Sequence, residues 1–125
     1  MDVDQQAKYW TTGSAEDLAA AESLIEKGHL RHGLFFAHLA LEKMLKAHVT
    51  QQTRTMPPRI HGLARLAAMA GLKLNGEQMD LLREFGVYQI EGRYPDAEQI
   101  KVDGNLARDE LCRAKEMLAW LSKQL

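Results

Sequence analysis

The chain has 125 residues, 46% of them hydrophobic and 26% charged, and a formal net charge of −1. That length suits one domain with one core, and the near-neutral balance supplies no bulk basic excess of the kind a dedicated nucleic-acid binder carries, though it leaves room for a local basic patch. A single cysteine, Cys112, excludes an internal disulfide, no apolar run approaches a membrane span, and the five histidines lack a paired-ligand spacing, so a cytoplasmic protein with no metal, no cofactor and no membrane partner is expected.

The apolar spacing predicts five helices and no strand, because β-branched residues are scarce and no stretch alternates cleanly. The first helix is expected from about Ser14 to Lys27. Ser14 with Asp17 resembles a capping box, Leu18, Ala21 and Ile25 form a stripe, and Gly28 suits the C-terminal end. The second is expected from about His32 to Thr50. Pro57 and Pro58 then break the chain. A short third helix spans about Ile60 to Ala70, closed by Gly71. Asn75 caps the fourth, with Gln78 at the capping-box position, and that helix runs to about Glu91 with Leu81, Leu82, Phe85 and Tyr88 on its core side. Residues 92–104 read as a loop. The fifth helix runs from about Asn105 to the C-terminus on a seam of Ala107, Leu111, Ala114, Leu118, Leu121 and Leu125. Met117 and Trp120 fall off that seam, and a second apolar face on a terminal helix suggests a homodimer. The fold class is therefore all-α, an up-and-down bundle of four to five helices in a single domain over 1–125.

The second helix poses a question. It is apolar almost all round, as a central helix should be, yet His38, Glu42 and Lys46 recur every four residues along one sector of "HLALEKMLKAH". One reading is a partly exposed stripe, with Glu42 and Lys46 paired and Lys43 solvated beside them. The other is a cleft, in which a buried carboxylate needs a cation: Lys46, or Arg93 from the loop after the fourth helix. His29, His32 and His48 read as surface or helix-end residues. Cys112 lies off its helix's seam with nothing nearby to activate it.

The order of motifs adds to this. "KYW" at 8–10 precedes an alanine-containing first helix. Next comes the second helix with Glu42, Lys43, Lys46 and Ala47, then His61-Gly62-Leu63-Ala64-Arg65-Leu66, then Arg93-Tyr94-Pro95-Asp96. This series resembles the HEPN domain family, small helical domains named for higher eukaryotes and prokaryotes nucleotide-binding, over nearly the whole chain. The resemblance implies a helical bundle, commonly a homodimer. It also implies a minimal nucleotidyltransferase as partner in a two-component, toxin–antitoxin-like system. Its active members are metal-independent endoribonucleases carrying an Arg followed a few residues later by His. Here Arg93-Tyr94 has no such histidine: positions 97–100 are Ala, Glu, Gln and Ile. Arg54 to His61 and Arg31 to His38 have comparable spacings, but neither follows the fourth helix.

The site expected from both lines is a ligand cleft of His38, Glu42, Lys43, Lys46, Arg93, Tyr94 and Asp96, with His61 as a further candidate. His61 is otherwise a packing or capping residue at the start of the third helix. Arg93 serves either as a lock on Glu42 or as a phosphate-binding fork, and Tyr94 either stacks on a base or fills the bundle end. The expected function is a non-hydrolytic or only weakly active subunit whose cleft takes a nucleotide or nucleic-acid phosphate, or a nucleotidyltransferase partner. A metal-independent endoribonuclease with a displaced histidine and a purely interacting bundle are the alternatives.

Overall fold

The computed structural model describes residues 2–93 and 101–125, and the side chains of 90–93 fall outside that description. Its helices are α1 (Val3–Glu26), α2 (Leu30–Thr53), α3 (Leu63–Met69), α4 (Gly76–Arg93) and α5 (Gly104–Gln124), with no strand among the described residues. They form the all-α bundle expected. No described helix is long and apolar enough to cross a membrane.

α2 is the centre. It packs against each of the other four helices, most extensively against α1. Leu34, Leu41, Leu45 and Val49 on it join Phe85 and Tyr88 of α4 and Leu118 and Leu121 of α5 in one core. The α1–α2 hairpin is tight because small residues line it. A Cβ on Gly33 would lie 2.4 Å from Ile25 Cγ1 and 3.1 Å from the Ala21 carbonyl, so only glycine lets the helices approach this closely.

Most turn chemistry matches expectation. Gly28, at φ +87°, completes a Schellman end: its N–H donates to Ile25 O and that of His29 to Leu24 O. Gly71, at φ +69°, closes α3 the same way onto Ala68 O and, through Leu72 N–H, Ala67 O. Asn75 and Gln78 cap each other's backbone N–H at 2.8 and 3.0 Å. Arg54 ends α2 in the left-handed region (φ 58°), unusual for a residue with a Cβ, and its N–H donates to Thr50 O.

Several expectations are corrected. α1 starts at Val3, with Asp2 Oδ1 accepting from Gln5 N, and Ser14 sits mid-helix. Ser14 is buried because its hydroxyl donates to the Ala40 carbonyl of α2 at 2.7 Å. α2 begins at Leu30 and runs past Thr50, whereas α3 is confined to Leu63–Met69. His48 is buried rather than at the surface: its Nε2–H donates to Leu121 O at 2.8 Å, joining α2 to the end of α5. Burial pushes the His48 pKa below its usual value, against the pull of that carbonyl. Met117, assigned to a second face, belongs to the chain's own core. Trp120 is half-buried against that core, and the seam residue Leu125 is exposed.

Candidate functional site

The ionisable line on α2 is buried. His38 is 0% exposed, Glu42 5% and Lys46 7%, so a solvated stripe is excluded. Their spacing places them on one helix sector, and the connection after α2 turns back over it, bringing His61 to Glu42. The Glu42 carboxylate is the hub. Lys46 Nζ donates to its Oε2 at 3.1 Å, and His61 Nδ1–H points at both oxygens, 3.2 and 3.3 Å away. His38 Nε2 lies 3.3 Å from Oε1. That contact is close enough for charge attraction but out of line for a hydrogen bond, and neither ring nitrogen of His38 has an aligned partner among the described residues. Lys46 Nζ also stands 5.4 Å from the ring centroid of Trp10 on α1, a cation–π contact closing its other side.

This environment sets the charge state of Glu42. Burial alone would raise its pKa. The His38 imidazole, the Lys46 ammonium and the His61 imidazole together outweigh that and lower it from 4.5 to about 2. The carboxylate is thus ionised throughout the neutral range. Because an ionised carboxylate only accepts, the His61 nitrogen facing it carries the proton. Nε2, on the far edge of the ring, faces away from Glu42, and the His61 side chain is 43% exposed.

The expected site residues therefore separate. His38, Glu42, Lys46 and His61 are brought together, and His61 alone of the four is exposed. Lys43 points elsewhere: its Nζ lies 2.8 Å from Asp17 Oδ2 on α1, and its stem packs beside Gly13. Arg93 ends α4, but its side chain, and Tyr94 and Asp96 altogether, lie outside the described residues. The arginine fork expected on Glu42 is thus not among the partners described; Lys46 and His61 are. Trp10 stands in the sequence only as part of "KYW"; its contact with Lys46 depends on how α1 packs on α2, which spacing along the chain does not carry. No cluster of His, Cys, Asp and Glu fit to hold a metal occurs among the described residues.

Open hollows lie elsewhere. One of about 540 Å³ runs between α4 and α5, lined by Glu77, Asp80, Glu84 and Glu116 over Leu81 and Trp120. Another of about 390 Å³ follows α1 past Tyr9, with Lys43 at its edge. Chemically, the cluster can hold a proton donor or acceptor at His61 against a fixed buried carboxylate, and can present that imidazole to an anion.

The fold is shared with solved structures. TT1696 from Thermus thermophilus superposes with a TM-score of 0.82 at 22% identity, covering 96% of this chain and 98% of that one. An archaeal HEPN homologue superposes with a TM-score of 0.75 at 18% identity, covering 95% and 97%. Among curated proteins no match is found. The family model for the HEPN domain matches residues 7–125, and with all but the first six residues inside that match, the chain belongs to the HEPN domain family.

Proposed function

We propose that this HEPN protein is a non-hydrolytic binding subunit. It takes a nucleotide or nucleic-acid phosphate at His61 and acts with a minimal nucleotidyltransferase in a two-component, toxin–antitoxin-like system, as a homodimer. The observation that supports it is the half-exposed His61 imidazole held on the buried Glu42–Lys46 pair: a ring fixed on one edge presents its other edge without further ordering cost. Arg93, Tyr94 and Asp96 belong to the proposed site through the family motif.

Calorimetry with ATP tests the binding step. Saturable heat that His61→Gln weakens at least tenfold, with an unchanged melting temperature, supports it. Absence of heat, or indifference to that substitution, overturns it. Co-purification with a nucleotidyltransferase encoded beside the gene tests the partnership, and sedimentation the dimer.

The His61–Glu42 contact favours one second reading, the metal-independent endoribonuclease, with His61 as the displaced acid–base group. Cleavage of RNA in the presence of a chelator, abolished by His61→Ala, would replace the binding reading with that one.

A further inference from the structure

Charge along this near-neutral chain is segregated. Between Glu42 and Glu77 there is no Asp or Glu at all, while Lys43, Lys46, Arg54, Arg59, Arg65 and Lys73 fall in that interval. Lys43 and Lys46 are held by Asp17 and Glu42. Arg54, Arg59 and Arg65 are exposed, and among the described residues none has an acidic partner. All three lie on the connection from the end of α2 into the first turn of α3, and His61 sits between the last two.

The segment is also stiff. Pro57 is buried and Pro58 half-buried, which restricts the backbone on both sides. Arg54 is held in the left-handed region by its N–H bond to Thr50 O. Thr53 Oγ1 accepts the N–H of Thr55 just beyond it. Arg65 begins beside Gly62: a Cβ there would lie 3.8 Å from Arg65 Cβ. The guanidinium groups thus start from a fixed backbone, so holding them against a ligand forfeits less freedom than it would on a loose loop.

We infer that the α2–α3 connection is a docking edge for the phosphodiester backbone of a single-stranded nucleic acid. Arg54, Arg59 and Arg65 contact successive phosphates on either side of the one taken at His61. The inference rests on the proposed phosphate site at His61 and selects a polymer over a mononucleotide. Three planar forks, at the end of α2, on the connection and in the first turn of α3, match repeated phosphates, whereas one nucleotide reaches only part of them. A flexible single strand, unlike a duplex, can follow a connection that turns from the end of α2 back over that helix to the start of α3.

The test is fluorescence anisotropy with a labelled oligouridine of roughly 20 nucleotides, a length several contacts long. Three phosphate contacts predict a log–log salt slope near −2, from about −0.7 per phosphate on single strands. The triple variant Arg54→Gln, Arg59→Gln, Arg65→Gln should bind at least tenfold more weakly with a slope near zero. A charge-matched control, Lys27→Gln, Lys101→Gln, Lys123→Gln, changes exposed lysines elsewhere and should bind as wild type. Circular dichroism melts confirm that both variants fold. Equal weakening in the two variants assigns the affinity to net charge and overturns the inference. Competition by polyglutamate as effective as by unlabelled oligouridine turns the edge into a docking face for an acidic protein and also overturns it. Lack of oligouridine binding alongside intact ATP heat overturns this inference while leaving the mononucleotide reading standing.

Discussion

The molecule contains two ionic clusters with the same chemistry in different surroundings. One is Glu42 with Lys46, His61 and His38, nearly enclosed where the α2–α3 connection covers α2. The other is Arg113 on α5, which donates to Glu84 of α4 and Glu110 of α5 at 2.7 Å each. By distance the second is the better made. Yet Arg113 and Glu84 are 41% and 52% exposed, so water screens their attraction and competes for their hydrogen bonds. In the first cluster Glu42, Lys46 and His38 have lost their water and depend on their partners, and only His61 keeps an exposed edge. Burial, rather than contact length, is therefore expected to rank the two clusters.

Breaking one side of each cluster should show the difference most clearly. Glu42→Ala leaves Lys46 enclosed without a counter-charge and is expected to lower stability by about 3–5 kcal/mol. Glu84→Ala should cost about 1 kcal/mol or less. Urea unfolding measures both, and similar losses would remove the distinction between the clusters.

Acid should separate them next. The folded Glu42 pKa of about 2 lies below the reference 4.5. The unfolded state thus binds the proton first as pH falls. The stability from this group is complete above pH 4.5 and declines between 4.5 and 2, amounting to about 3 kcal/mol at 1.4 kcal/mol per unit. Other carboxylates titrate in the same window, so the readout is the difference between wild type and Glu42→Gln, whose profile should be flatter by that amount. Arg113 has its pKa raised, chiefly by Glu84. The guanidinium itself does not titrate in acid, and its attraction to Glu84 and Glu110 lasts only while those carboxylates are ionised.

A milder effect is expected when both charges of the buried pair are removed together. Glu42→Leu with Lys46→Met leaves no lone ion, and such replacements are often near neutral. The double variant should recover much of the loss seen in Glu42→Ala. A double variant no more stable than Glu42→Ala would mean that His61 and Trp10, rather than the ion pair, hold this region.

What the sequence made legible follows from range. Gly28, Gly71 and the Asn75–Gln78 pair act within a few residues, and each sits where its turn requires. The Glu42–Lys46 pair is also local, four residues apart on one helix. His61 reaches Glu42 across 19 positions, because Pro57 and Pro58 turn the chain back over α2. Periodicity carries no such information. Ser14 looked like a cap because serine favours caps, yet its hydroxyl is spent on a carbonyl 26 positions away, where α1 and α2 touch. His48 looked like a helix-end residue for a similar reason. Its acceptor, Leu121 O, is one of the last four carbonyls of α5, which lack partners within their own helix until another element supplies one.

The smallest effect expected is on the exposed cluster, and it carries a signature of its own. Arg113→Ala removes both short contacts at once, and their distances alone suggest a large loss. Exposure argues otherwise: Glu84 returns to water at little cost, and only Glu110, 9% exposed at its side chain, loses a partner it cannot replace. The expected loss is about 1 kcal/mol, most of it from Glu110. Raising salt from about 0.1 M to 1 M shortens the screening length from roughly 10 to 3 Å, so the wild type should lose part of this stabilisation while the variant changes less. Paired urea titrations at the two salt concentrations read that difference. A salt-independent loss would place the contribution in the contacts that the arginine stem makes between α4 and α5, rather than in its charge.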